Sequence, residues 1–149
     1  MNLYMLVEGK RTEKKIYPQW LLHTVPQLTR VTQPQDAISN NYYIISGNGY
    51  PSILTHTKQA VETINGLGGL YDFFAVIVDS EDVGVETRRK EISDAIESVG
   101  INLPVNTFVI VQNYCIETWL LGNKKFIQPN PTLPELKDCM DFYNVRLNG

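Results

Sequence analysis

Short runs of hydrophobic residues alternate along the chain with segments in which hydrophobic residues recur at helical spacing. Four of these runs are rich in β-branched and aromatic residues and end at polar residues or glycine, which is typical of strands. One of them, Phe73 to Val78, shows no polar alternation, so we expect both faces of that strand to be buried. The four predicted strands are Leu3 to Val7, Tyr42 to Ile45, Phe73 to Val78 and Phe108 to Val111.

The segments between the predicted strands have the pattern of amphipathic helices. In one of them, for example, Ile92, Ala95 and Val99 fall on a single helical face, and Gly100 follows as a favourable stop. The predicted helices run from Thr12 to Pro26, from Pro51-Ser52 to about Gly66 and from Val85 to Val99, with shorter ones from Ile116 to Leu121 and from Leu133 to Tyr143.

The order of these elements, strand then helix four times over, predicts an α/β fold. We expect a three-layer arrangement, with a mainly parallel central sheet of about four strands and helices on both faces. The length of 149 residues fits a single domain over residues 1–149. The chain ends at Leu147-Asn148-Gly149 without an evident closing element, which leaves open that it is a fragment of a longer protein.

The composition narrows the class of protein. Hydrophobic residues make up 43% of the chain and charged residues 19%, which argues against disorder. The apolar runs are too short to cross a bilayer, and the N-terminus does not resemble a signal peptide, so we expect a cytoplasmic protein without a membrane partner. The net charge of −3 weakens a role in nucleic-acid binding but does not exclude it, because a carboxylate site lowers the net charge by itself.

Acidic side chains follow three of the predicted strands. Glu8 follows the first strand, Asp79, Glu81 and Asp82 follow the third, and Glu117 comes a few residues after the fourth. The carboxyl ends of parallel strands share one edge of the sheet, so Glu8 and Asp79 can approach if their strands are neighbours. Carboxylates forced together raise one another's pKa, and a cation relieves that repulsion. Oxygen ligands suit Mg²⁺ or Mn²⁺, so we predict a divalent metal site formed by these acids.

Each of these acids also has a simpler interpretation. Glu8 can be a solvated turn residue, and Asp79 a loop residue bonded to nearby backbone N–H groups. Asp82 is equally a candidate N-cap for the following helix, and Glu117 suits the first turn of its own helix.

Three segments carry a family resemblance. The first is Leu6-Val7-Glu8-Gly9-Lys10, followed by Thr12-Glu13, and the second is Val78-Asp79-Ser80-Glu81-Asp82. The third, Asn113 to Leu121, contains Glu117-Thr118-Trp119-Leu120-Leu121. In this order they resemble the Toprim (topoisomerase–primase) fold, and in particular small stand-alone Toprim-like proteins related to the OLD-type nucleases, many of which are linked to phage defence. The resemblance covers Leu3 to about Leu121.

The resemblance implies phosphoryl transfer on nucleic acid that depends on Mg²⁺ or Mn²⁺. Glu8 would act as acid/base or metal ligand, Asp79 would be the principal metal ligand, and Glu117 would complete the site. One position departs from the family, because its second aspartate is here Glu81 with Asp82 beside it. Which of these two residues binds the metal stays open, and if neither does, the domain would bind without cutting.

The expected activity is therefore that of a metal-dependent nuclease, in which water is the attacking group because no residue stands out as a covalent nucleophile. Lys10, Arg11 and Lys14, with Lys15 beside them, are candidates to contact the nucleic-acid backbone, although a solvated helix start explains them as well. The ATPase domain of OLD-type nucleases has no counterpart here, since the chain lacks a G-x-x-x-x-G-K-[ST] loop, so an ATPase would be a separate partner chain.

Three other functions fit parts of the pattern. A phosphoacceptor receiver domain is disfavoured, because it would have an acidic pair after the first strand and a lysine after a fifth. A nucleotide-binding module would use the backbone N–H groups of Gly47-Asn48-Gly49, although a tight turn explains these residues too. A non-catalytic interaction module would keep the fold and lose the chemistry, as the altered second motif allows.

Overall fold

The computed structural model of the chain describes residues 1–116 and the isolated residues 132, 134 and 137. Within this part the chain forms five strands, three α-helices and two short 3-10 helices. The strands are β1 (Asn2–Val7), β2 (Thr29–Arg30), β3 (Asn41–Ser46), β4 (Phe73–Asp79) and β5 (Asn106–Gln112). The helices are α1 (Thr12–Thr24), α2 (Ser52–Gly66) and α3 (Val85–Glu97), and the 3-10 helices are Pro34–Asp36 and Glu81–Val83.

The four predicted strands and the first three predicted helices are confirmed, with bounds that differ by a few residues. The structure adds β2, a strand of 2 residues that pairs with the start of β3. Hydrophobic patterning does not predict β2, because both of its residues are exposed and polar. The two later predicted helices, from Ile116 and from Leu133, extend over residues outside the described part.

The sheet is entirely parallel, with the strand order β2-β3-β1-β4-β5. Strand β1 lies between β3 and β4, so that Leu6 is paired with Ile45 on one side and with Val76 on the other. Between β3 and β4 the chain passes from one side of β1 to the other. In open α/β sheets such a switch point leaves a crevice outside the carboxyl ends of the strands. The end of β1 is therefore where the fold favours a functional site.

Alternate residues of β1 contribute to two separate hydrophobic clusters. Tyr4 and Leu6 belong to the cluster that includes Ile53 and Val61 of α2 and Ile92 of α3. Met5 and Val7 belong to the other cluster, against which Tyr17 and Leu21 of α1 pack. Because successive side chains of a strand point to opposite faces, this division is consistent with a three-layer arrangement. Strand β1 is thereby held by hydrophobic packing in both clusters.

Strand β4, which lies between β1 and β5, is buried over all but the first residue of the run that its composition predicts. Phe74 to Val78 are all buried, which confirms that both faces of the strand are covered there. Phe74 also packs edge-on against Tyr4 of β1, with ring centroids 5.7 Å apart. Among the described residues, no helix is both long and apolar enough to cross a membrane.

Replacing Phe74 with alanine should destabilise the fold strongly. Its side chain is fully buried, at 0% exposure, so we expect Phe74→Ala to lower the free energy of unfolding by about 3–5 kcal/mol. Phe108→Ala in the neighbouring strand is the matched control, because that ring is 50% exposed and should cost much less. Urea unfolding followed by circular dichroism measures both variants. An equal loss for the two would contradict the described packing of β4.

Candidate functional site

The backbone of Glu8 is held by the strands on both sides of β1. Its N–H donates to the carbonyl of Ile77 in β4 at 3.0 Å. Its carbonyl accepts from the N–H of Gly49, in the loop after β3, at 2.9 Å. The residue is only 8% exposed. Glu8 is therefore a fixed, buried group at the carboxyl edge of the sheet, and the interpretation as a solvated turn residue is wrong.

The side chain of Glu8 lies against the end of β4. Its Oε2 accepts a hydrogen bond from the backbone N–H of Asp79 at 3.0 Å. Asp79 is the last residue of β4 and is half-buried. The Glu8 carboxylate and the backbone of Asp79, 71 positions apart in the sequence, thus meet at the switch point, because their strands are neighbours.

Burial raises the pKa of the Glu8 carboxyl above its ordinary value. The Asp79 N–H bond and the charge of Arg88 oppose this rise, whereas the charges of Glu81 and Glu13 add to it. The balance leaves Glu8 easier to protonate than an exposed glutamate. A carboxyl group tuned in this direction is suited to proton transfer nearer neutral pH.

Glu13 is a second buried acid at this edge, on the first turn of α1. Its Oε1 accepts the N–H of Gly9 at 2.7 Å, and a Cβ on residue 9 would collide with its carboxylate. In the sequence, Glu13 stands out only as part of the first motif and not as a site residue. The available signal was the glycine directly after Glu8, because a residue without Cβ allows another group to approach closely.

A cleft of about 590 Å³ opens beside these acids. Its walls come from the β1–α1 loop, the loop after β3 and the end of β4, and both acidic and basic side chains line it. The lining residues are Gly9, Lys10, Arg11, Thr12, Glu13, Asn48, Gly49 and Asp79.

Two of the predicted nucleic-acid contacts belong to the wall of this cleft. Lys10 and Arg11 are exposed and line it, whereas Lys14 lies further along α1 and is not part of the wall. Lys15 is exposed on the same helix. The cleft therefore combines cations at its mouth with Asp79 and Glu13.

The remaining predicted acids are arranged differently. Glu81 is exposed, and its Oε2 lies 3.7 Å from Nη2 of Arg88. Asp82 is exposed too, and the residue that precedes α3 is Gly84, so the interpretation of Asp82 as the cap of that helix is wrong. Glu117 lies outside the described residues. Over the part that the structure describes, no three histidine, cysteine or acidic residues form a group able to hold a metal ion.

The loop after β3 uses its backbone donors within the protein. Gly47 donates to the carbonyl of Val7 at 2.7 Å, Asn48 to Oγ of Ser46 at 3.0 Å, and Gly49 to the carbonyl of Glu8. These three N–H groups are therefore engaged and do not form a phosphate cradle. The loop is a tight turn that supports Glu8.

Tyr17 of α1 lies near the same acids. Burial and the charges of Asp79 and Glu13 raise the pKa of its hydroxyl, and its oxygen accepts a hydrogen bond from Nε2 of Gln112 at 2.7 Å. The hydroxyl consequently stays protonated at neutral pH. This environment disfavours Tyr17 as a covalent nucleophile.

Comparisons of the chain with protein families, with curated proteins and with solved structures found no match.

The titration of Glu8 should appear in the stability of the metal-free protein. A carboxyl whose pKa is raised by folding stabilises the protein less as pH increases above its ordinary value of 4.5, because the unfolded chain loses that proton first. Glu8→Gln removes the titration while keeping an acceptor for the Asp79 N–H, so the variant should gain stability relative to the wild type as pH rises. Urea unfolding between about pH 4 and pH 8, in the presence of a chelator, measures this difference.

The matched control is Glu62→Gln, which replaces an exposed acid on α2. It should leave the pH dependence of stability as in the wild type. If Glu8→Gln and the wild type change in parallel over this pH range, the described environment of Glu8 is wrong.

Proposed function

We propose that this chain is a divalent-metal-dependent nuclease, or a related phosphoryl-transfer domain acting on nucleic acid. The observation that carries the proposal is the hydrogen bond between Glu8 and the Asp79 N–H at the switch point of a parallel sheet, beside a cleft with cationic walls. Burying an acid costs free energy, because desolvation disfavours its charged form. Buried acids in a cleft are therefore candidates for a functional role.

The acids of the site suit Mg²⁺ or Mn²⁺. Mg²⁺ usually keeps several waters and is bound through one or two carboxylates together with substrate phosphates, so a cage of three or more protein ligands is not required. Asp79 lines the cleft and would be the principal ligand, with Glu8 next to it. Glu81, Asp82 and Glu117 remain proposed as further ligands.

The chemistry follows from the environments of the two acids. When bound, the ion would supply a Lewis acid for a phosphate oxygen and would lower the pKa of water. Asp79 would hold that ion at the wall of the cleft. Glu8 would accept a proton from the attacking water or return one to the leaving oxygen, which is a role that its raised pKa favours.

Lys10 and Arg11 support a nucleic-acid substrate. Both are exposed at the cleft, where they can contact backbone phosphates without reading sequence. The net charge of −3 is compatible with such binding, because the cations are concentrated where the acids would be neutralised by metal. Lys14 would contribute at the edge of this contact.

The three sequence motifs support membership of the Toprim-like proteins related to OLD-type nucleases. On that basis we extend the proposal to a cytoplasmic role in phage defence, with an ATPase, where one is needed, supplied by a separate chain. The non-catalytic interaction module is the competing proposal, because Glu81 replaces the family's aspartate.

Metal should stabilise the protein through Asp79. At a Mg²⁺ or Mn²⁺ concentration 100 times the dissociation constant, linkage predicts about 2.7 kcal/mol of added stability, seen as a higher melting temperature. Asp79→Asn should abolish the shift, and the same metals should support cleavage of nucleic acid by the wild type. Thermal shift and a cleavage panel of single- and double-stranded DNA and RNA measure the two effects.

Glu62→Gln serves again as the control and should behave as the wild type. Metal stabilisation without cleavage of any substrate would favour the interaction module. A wild type that neither cleaves nucleic acid nor gains stability with either metal would refute the proposed function.

Nucleic-acid binding should depend on the two cleft cations. Lys10→Ala and Arg11→Ala should each weaken binding and reduce the slope of log affinity against log salt concentration by about one, because each removes about one phosphate contact. Lys58→Ala, an exposed lysine on α2, should change neither quantity. Fluorescence anisotropy at several salt concentrations, with Asp79→Asn as the background to prevent cleavage, measures these slopes. Equal slopes for all variants would exclude the cleft as the binding surface.

A further inference from the structure

Arg88 is a buried cation next to the candidate site. It lies on α3 and is 2% exposed. Removing a guanidinium from water costs several kcal/mol unless ion pairs and hydrogen bonds compensate. The groups that contact the guanidinium therefore indicate the structural role of Arg88.

The guanidinium contacts three groups. Nη1 donates to Oε2 of Glu91 at 2.9 Å, within the same helix. Nη2 faces Oε2 of Glu81 at 3.7 Å, and the group lies over the ring of Tyr50, 3.7 Å from its centroid. Its Nε is buried and has no hydrogen-bond partner within the described part of the chain. The contact with Glu91 stays within α3, whereas the contacts with Glu81 and Tyr50 connect α3 to other parts of the chain.

Tyr50 and Glu81 come from different loops. Tyr50 belongs to the connection between β3 and α2, which also carries Gly49, the donor to the Glu8 carbonyl. Glu81 is the first residue of the 3-10 helix and lies two residues after the end of β4. Since β3 and β4 flank β1, Arg88 connects the two loops that lie on either side of Glu8.

The chemistry of arginine suits this connection. A planar guanidinium can stack on an aromatic ring and at the same time present N–H groups in its plane to carboxylates. Lysine can provide the charge but not the stacked fork. The positive charge of Arg88 also acts on Glu8, whose pKa it lowers.

We propose that Arg88 is a positioning residue for the candidate site: its guanidinium holds the Glu81 carboxylate and the Tyr50 ring, and thereby the loops on both sides of Glu8. The effect of Arg88 on metal binding rests on the proposed function. The connection between the loops does not, and it exists in the metal-free protein.

The first arm of the test uses the protein without metal. Arg88→Met keeps an unbranched apolar stem and removes the charge and the planar group. We expect amide hydrogen exchange to accelerate about tenfold or more at residues 47–52, apart from Pro51, which has no amide hydrogen, and at residues 80–84. The change in β1 and β4 should be smaller. Arg88→Lys should restore protection at 80–84 in part, through its charge, and not at 47–52. Arg89→Met is the matched control, because Arg89 is exposed on the same helix and donates to the Val109 carbonyl.

Coupling between the loops separates positioning from general stability. Tyr50→Leu should accelerate exchange at 80–84 in the wild-type background and have no further effect there when Arg88 is already methionine. If Arg88→Met leaves both loops protected, or accelerates the central strands as much as the loops, Arg88 has a general structural role and the proposal is wrong.

The second arm measures Mn²⁺ affinity by titration calorimetry. Arg88→Met and Glu81→Gln should each weaken binding about tenfold, and the double variant should be no weaker than either single one. Wild-type affinity in Arg88→Met would overturn the positioning role. A wild type that binds no Mn²⁺ would instead refute the proposed function, and the exchange experiment would still decide whether Arg88 holds the loops.

Discussion

The hydrogen bond from the Asp79 N–H to Oε2 of Glu8 is the contact on which the site depends. It exists because β1 and β4 are neighbours in a parallel sheet and end at the same edge. The backbone of Glu8 is fixed independently, by Ile77 on one side and Gly49 on the other. The carboxylate itself is held by the Asp79 N–H, and its burial disfavours the charged form, so this position carries an electrostatic cost.

The surroundings of Glu8 show how that cost is limited. Arg88 supplies a buried positive charge that opposes the rise in the Glu8 pKa, whereas Glu13, whose carboxylate accepts the N–H of Gly9, adds to that rise. The exposed cations Lys10 and Arg11 lie at the mouth of the cleft. Glu8 and Glu13 are thus buried, whereas Lys10 and Arg11 are exposed. This arrangement explains how a chain with a net charge of −3 can present a locally cationic entrance.

Much of the fold follows from local patterns. The run from Phe73 to Val78 predicts a fully buried strand, and the helical spacing after Pro51 predicts α2 to within a residue. Strand β2 is not predicted by these patterns, because Thr29 and Arg30 are exposed and form a strand only through their pairing with β3. The capping role considered for Asp82 fails for a similar reason, since the 3-10 helix at Glu81–Val83 moves the start of α3 beyond Gly84.

The sequence by itself determined which segments form strands and helices, and that Glu8 and Asp79 follow strand ends. Hydrophobic periodicity and the alternation of elements are local properties, and they suffice for those conclusions. The tertiary structure alone decided that β1 lies between β3 and β4, that Glu13 packs on Gly9, and that Arg88 is buried between Tyr50 and Glu81. These contacts join residues that are brought together by strand order and helix packing, and no local pattern encodes a distance through space.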